Sequence, residues 1–234
     1  MKTLKQYTSP NHTPVEISVG FVVLHYTATS LKRTLDIFMD PARKASAHLV
    51  IDRNGDVYEV VPCLESSALR AWHAGVSRLR VSPSPSSSSL IDGFNDRAIG
   101  IELVNFNGNV WPYTDAQYTS LFSCLALLKV RYPDLVHLSS VVGHEDIAGF
   151  RGKSDPGRQF DWARLEKAVY PGQRSLNREF CCSAALAERL TVLYEKLGIQ
   201  LDTSTGCFVG PGVDAPEISE AVSSVLEAAL TEGA

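Results

Sequence analysis

Excess charge of one sign, long apolar runs and patterned cysteines are all missing from this 234-residue chain. Lys and Arg together number 22 against 26 Asp and Glu, a formal net charge of −4. That balance argues against a protein that binds nucleic acid by neutralising phosphates. No apolar run reaches the roughly 18 residues that a membrane-spanning helix needs, so no helical span is expected. Lys2 and Lys5 have no apolar stretch behind them and no lipobox-type cysteine follows, so a secretory leader is not expected. The five cysteines (Cys63, Cys124, Cys181, Cys182, Cys207) are an odd number without a CxxC. Adjacent Cys181 and Cys182 are poorly placed to bridge to each other. They read as reduced, mostly buried thiols in a cytoplasmic protein; a periplasmic location is the alternative if a leader has been removed.

What is present is 44% hydrophobic residues, ample for a core in a domain of about 170 residues with a small appendage. Residues 20–26 alternate as a strand, with Val22 and Leu24 on one face and Val23 and His25 on the other. A helix over 31–40 stops at Pro41. Two strands flank Asn54-Gly55, a strong hairpin signal. Residues 82–92 begin with Ser-Pro-Ser-Pro-Ser-Ser-Ser-Ser and are expected to form a mobile surface loop. Residues 98–104 return to strand, with Ile99, Ile101 and Leu103 inward and Glu102 on the opposite face. Thr114-Asp-Ala-Gln117 is a capping box before Tyr118, Leu121, Phe122, Leu125 and Leu128 at helical spacing. Val141-Val-Gly-His144 is a short strand, and a closing helix is expected from Phe160.

The composition changes beyond residue 174. Leu186, Leu190, Leu193 and Tyr194 form one helical stripe, and Ile218, Val222, Val225 and Leu226 a second. Two short helices joined by the Gly/Pro-rich stretch from Gly206 to Pro216 would bury little alone, so they are expected to dock on the main domain or on a partner. The expected architecture is α/β: a mixed central β-sheet flanked by helices over 1–173, and a short helical extension over 174–234.

Three side chains suggest a metal. His25 ends an apolar strand, and His144 and Asp155 stand at the ends of one loop. Two neutral imidazoles and a carboxylate would hold Zn²⁺ and leave a fourth position open, the mark of a catalytic rather than a structural site. Glu102 could serve as the base that moves a proton from water to a leaving amine. Lys153, two residues before Asp155 and so on the same side of an extended segment, could stabilise an oxyanion. Each has a plainer reading. His25 alone could be a satisfied strand-end residue and Glu102 a solvated one. His48 suits a hydrogen-bonding role better than a fourth ligand, and Asp146 suits holding its loop. Trp72 and His73 could pack beneath the cleft or, with Asn95, contact substrate.

Several motifs occur together and in order: Val-Val-Leu-His25-Tyr-Thr-Ala, Ser46-Ala-His48-Leu-Val-Ile-Asp-Arg-Asn-Gly, Ala71-Trp72-His73-Ala-Gly75, Ala98-Ile-Gly-Ile-Glu102-Leu, Tyr113-Thr-Asp-Ala-Gln-Tyr118, Gly143-His144-Glu-Asp-Ile-Ala and Lys153-Ser-Asp155-Pro-Gly with Phe160-Asp-Trp162. Over about residues 20–165 the chain resembles the type 2 N-acetylmuramoyl-L-alanine amidases, a fold shared with T7 lysozyme-type amidases and peptidoglycan recognition proteins. The resemblance implies Zn²⁺ on His25, His144 and Asp155, Glu102 as base and Lys153 at the oxyanion. It also implies cleavage between the lactyl group of N-acetylmuramic acid and L-alanine of the stem peptide. Trp72-His73 and Phe160-Asp-Trp162 look most like the cytosolic branch that recycles 1,6-anhydro muropeptides, whereas His25-Tyr-Thr-Ala looks more like envelope enzymes.

Departures from the family pattern are a His144–Asp155 loop one residue longer, the serine-rich insertion, and Ala47 where many relatives carry tyrosine. The competing expectations are a non-catalytic peptidoglycan-binding module, a closed structural zinc site, and an envelope amidase acting on polymeric wall.

Overall fold

The computed structural model describes residues 2–80, 90–173, 180–213 and 215. In chain order its strands are β1 (Thr3–Leu4), β2 (His12–Glu16), β3 (Phe21–Tyr26), β4 (Leu49–Ile51), β5 (Val57–Glu59), β6 (Leu69–Ala71), β7 (Arg78–Arg80), β8 (Leu90–Asp92), β9 (Ala98–Leu103), β10 (Val141–Gly143), β11 (Gln200–Asp202) and β12 (Cys207–Val209). The α-helices are α1 (Leu31–Met39), α2 (Asp115–Arg131), α3 (His144–Ala148), α4 (Trp162–Val169) and α5 (Ala184–Lys196). Six strands make the main sheet in the order β1-β5-β4-β9-β3-β10. All neighbours are parallel except β4 and β5, the hairpin around Asn54-Gly55. The fold is therefore α/β with a mixed central sheet between helices, as expected.

One sheet face carries the main core. Val22, Leu24, Leu49, Ile51, Ile99 and Ile101 pack there against Leu121, Leu125 and Leu128 of α2 and Leu165 of α4. The capping box forms in full at Thr114 and Gln117. Gln117 does more than cap: its Nε2 donates to the carbonyls of Ile51 and Val104 at 3.3 and 3.0 Å. The buried amide thus ties the helix start to the sheet, where an unpaired carbonyl would be costly. The opposite face is divided between two smaller apolar clusters. One holds Val23, Ala74, Phe94, Ala98 and Val142, the other Leu35, Phe38, Val50 and Val104. His25, His48, His73 and Glu102 occupy that divided face.

Three expectations need correction. Leu90–Asp92 is not loop but pairs antiparallel with Arg78–Arg80, placing Leu79 opposite Ile91; residues 81–89 lie outside the described residues. The closing helix starts at Trp162 because Asp161 accepts the Arg164 N–H as its N-cap, leaving Phe160 in the core. The extension is not purely helical. Between α5 and Pro216 the chain turns through Asp202–Gly206 into the β11–β12 hairpin. Asp202 accepts from Ser204 N–H and from the Ser204 and Thr205 hydroxyls, an Asx-type turn. The stripe Ile218–Leu226 lies outside the described residues. The described part of the extension packs on the main domain, where Leu186, Leu190, Tyr194 and Ile199 bury Phe106.

Candidate active site and metal centre

Register builds one side of the site. His25 of β3 is the parallel partner of Glu102 of β9, so both side chains leave the same face from strands roughly 4.8 Å apart. On the other flank Gly143 of β10 pairs with Leu24, and the next residue, His144, emerges beside His25. Glu102, His25 and His144 thus form a row at the carboxyl ends of three adjacent parallel strands, where open α/β sheets bind ligands.

Asp155 arrives from the far end of the loop. His25 Nδ1, His144 Nδ1 and Asp155 Oδ2 lie 3.1, 2.9 and 3.1 Å apart. All three residues are buried, and they form a group able to hold a metal ion. The backbone secures the approach, since the Glu145 N–H donates to the Asp155 carbonyl at 2.9 Å. Asp146 Oδ2 accepts from the Gly143 N–H at 2.7 Å, so Asp146 holds the turn.

The outward nitrogens settle the tautomers. His144 Nε2 lies 3.4 Å from the Ala74 carbonyl, which can only accept, so Nε2 carries the proton. His73 Nε2 lies 3.2 Å from the Ala98 carbonyl. Its Nδ1 is therefore an acceptor, and it takes the His25 Nε2–H at 3.1 Å. With the protons on Nε2, the Nδ1 lone pairs of His25 and His144 are directed at the Asp155 carboxylate. Three electron-rich atoms crowded at about 3 Å repel one another unless a cation lies among them. Tetrahedral ligands at the usual zinc distances of about 2.0–2.1 Å would sit about 3.3 Å apart, close to the spacing seen. The donor set therefore fits a divalent cation, with the outward N–H groups engaged as metal-binding histidines require.

Electrostatics agree. Burial, then the neighbouring His144, pushes the His25 pKa down to about 4, keeping it neutral. Burial alone would raise the Asp155 carboxyl; positive charge among the His144 and His25 nitrogens, which a bound cation would supply in place of imidazole protons, holds it well below the carboxylate range. Glu102 shows the opposite behaviour. Its Oε2 is buried and has no hydrogen-bond partner among the described residues. Burial first, then the Asp155 charge, lifts its pKa to about 8, with Lys153 opposing. Lys153 is half-buried and near enough for its charge to act on both Glu102 and His25.

The remaining candidates have intramolecular partners. His48 accepts the Gly100 N–H at Nδ1 and donates to the Leu69 carbonyl at 2.8 Å, the hydrogen-bonding role expected of it. Trp72 donates its indole N–H to Thr13 at 3.1 Å. Asn95 Oδ1 accepts from the backbone N–H groups of His73 and Ala74 at 3.0 and 2.8 Å, fixing the segment that meets both ligand-type imidazoles. Gly100 lies beneath that segment: a Cβ there would stand 2.5 Å from His73 Cγ.

Sequence reasoning missed Arg151, whose guanidinium donates to the Ala74 and Val76 carbonyls at 3.0 and 2.9 Å. It also missed Asn109, which holds Ser154, and Asn107, which orients Asn109. The alternating Asn105-Phe-Asn107-Gly-Asn109 was a visible signal, since buried amides need partners.

Comparison with known proteins identifies the family. The family profile described as N-acetylmuramoyl-L-alanine amidase matches residues 16–158, more than half of the chain. The chain belongs to the type 2 N-acetylmuramoyl-L-alanine amidase family. It is 40% identical over 157 residues to the 1,6-anhydro-N-acetylmuramyl-L-alanine amidase AmpD of Escherichia coli K12, covering 67% of this chain and 76% of that protein. To AmpD of Citrobacter freundii it is 40% identical over 128 residues, 55% of this chain and 59% of the relative; the chain thus spans about three fifths of that protein. Pseudomonas aeruginosa AmpDh3, solved in complex with anhydromuramic pentapeptide, has a TM-score of 0.54 at 26% identity, covering 96% of this chain and 79% of that one.

Proposed function

We propose that the chain is a zinc-dependent N-acetylmuramoyl-L-alanine amidase that hydrolyses the amide between the N-acetylmuramic acid lactyl group and L-alanine of the stem peptide. The observation that carries this reading is the half-buried Glu102, whose buried Oε2 has no hydrogen-bond partner among the described residues, in register with His25 and beside the three-donor group. His25, His144 and Asp155 would hold Zn²⁺, which when bound supplies Lewis acidity and lowers the pKa of water. Glu102 takes the proton from the attacking water and returns it to the leaving amine. Lys153 supplies positive charge where the carbonyl oxygen becomes anionic. His73, Asn95 and the Ala74 carbonyl hold the two imidazoles in the tautomers that the role requires.

The proposed substrate is a muropeptide in peptidoglycan recycling, and the proposed location is the cytoplasm. The similarity to AmpD proteins supports the substrate, and cysteines that form no disulfide among the described residues support the compartment. The test is to incubate the purified protein with anhydro-muropeptide or with intact sacculi, each with and without EDTA, and measure free stem peptide. Release from the muropeptide that EDTA abolishes is the expected result. Zinc binding without release at any pH would overturn the enzyme reading, and faster release from sacculi would move the substrate to polymeric wall.

A further inference from the structure

The segment carrying Asp155 is held from behind by a hydrogen-bonded chain that begins in the C-terminal extension. The Asn109 Nδ2 group donates to the Ser154 hydroxyl and carbonyl at 3.1 and 3.3 Å. Its Oδ1 accepts from the Arg158 N–H at 3.1 Å, gripping the chain on the far side of Asp155. Asn109 is oriented by Asn107, whose Oδ1 accepts from the Asn109 backbone N–H at 2.9 Å and side-chain amide at 3.0 Å. The Asn107 Nδ2 group donates to the Tyr194 hydroxyl at 3.4 Å, and that hydroxyl donates to the Phe106 carbonyl at 3.1 Å. Asn107, Asn109 and Tyr194 are each no more than 1% exposed, so water does not replace a lost partner.

The extension touches both ligand-bearing segments. The Cys181 N–H donates to Glu145 Oε2 beside His144, and Arg158 donates to the Cys182 carbonyl, each at 3.2 Å. Tyr194 lies on α5 with its ring against Trp111 at 4.6 Å. Packing alone would need only that ring, since a buried hydroxyl costs stability unless it is paired. The partners of this hydroxyl lead to Ser154.

We propose that the extension is a positioning element of the metal site: Tyr194 acts through Asn107 and Asn109 to hold Ser154, and so aims Asp155 at His25 and His144. This rests on the reading of Asp155 as a zinc ligand. The experiment uses the full chain with zinc as the probe. Zinc affinity, by chelator competition, and the thermal midpoint of the metal-free protein are measured for Asn109→Ala, Tyr194→Phe, their double variant and Leu128→Ala. Leu128 lies in the main core on α2 and reports a loss of stability alone.

Asn109→Ala should weaken zinc binding about 10–100-fold, the usual effect of losing an outer hydrogen bond to a ligand segment. Tyr194→Phe, one partner further back, should weaken it measurably but by less than about 10-fold, the lower end of that range, and the double variant should be no weaker than Asn109→Ala. Leu128→Ala should lower the midpoint and keep the affinity. Wild-type affinity in Tyr194→Phe, independent losses in the double variant, or an equal loss in Leu128→Ala would each overturn the proposal while leaving the zinc reading intact. Absence of zinc binding by the wild-type chain would remove both.

Discussion

His25 and Glu102 reach the site from paired positions on two central strands, whereas His144, Lys153 and Asp155 come from a segment whose only regular structure is one five-residue helix and a 3-10 turn. The strand pair is held by continuous backbone hydrogen bonding and by β4 and β10 on either side. The loop segment is held by side chains from elsewhere: Arg151 to Ala74 and Val76, Asn109 to Ser154, and Tyr113 to the Pro156 carbonyl at 2.6 Å. A residue on a buried strand has few alternatives because a shift in register would expose the core face. A loop residue depends on each distant partner. The strand side should therefore tolerate loss of metal, and the loop side should set how tightly metal is held.

The sharpest attempt to break this contrast compares His144→Ala with Glu102→Ala. His144→Ala should lose both zinc and amide hydrolysis, measured as bound zinc after gel filtration and as stem-peptide release. Stoichiometric zinc in that variant would refute the proposed ligand set. Glu102→Ala should keep its zinc and lose about 10²–10⁴-fold in rate, the usual contribution of a general base. Full activity in Glu102→Ala would remove Glu102 from the mechanism.

A smaller effect concerns pH in the metal-free protein. The Glu102 pKa is raised from 4.5 to about 8 on folding, so the folded state favours the protonated carboxyl. Its contribution to stability is complete below pH 4.5 and is lost as pH rises through about 8. The thermal midpoint of the metal-free wild type should therefore fall over that interval more than that of Glu102→Gln. Parallel curves for the two proteins would contradict this account of burial.

The smallest change is Gly100→Ala, which forces a methyl group towards His73 Cγ. Overpacking of this kind costs about 1–3 kcal/mol, seen as a lowered unfolding midpoint in denaturant. The same change should weaken zinc binding, because His73 orients His25. An unchanged affinity would show that His25 holds its tautomer without that contact.

Much of the strand side was legible in the chain. His25 ends an alternating apolar run, and Glu102 faces away from Ile99, Ile101 and Leu103. Both follow from the two-residue period of a strand, and the Thr114–Gln117 box from the local needs of a helix start. The extension was less legible. The β11–β12 hairpin lies in a Gly/Pro-rich stretch, and its turn rests on Asp202 hydrogen bonds that no periodicity reveals. Leu90–Asp92 was hidden because it follows directly on the serine run. The asparagines at 105, 107 and 109 were visible as a pattern, but their partners, Ser154 and Tyr194, lie far along the chain.

By itself the sequence determined the central strands and the α2 helix, the core-facing stripes and the family, and it offered the candidate donor set, because these depend on residue type and short-range spacing. Tertiary structure alone decided that His25 and Glu102 stand in register, that His73 and the Ala74 carbonyl choose the imidazole tautomers, and that Tyr194 lies at the end of a chain leading to Asp155. Those outcomes depend on hydrogen-bond partners brought together across the fold, and residue identity does not specify which distant partner each buried group will meet.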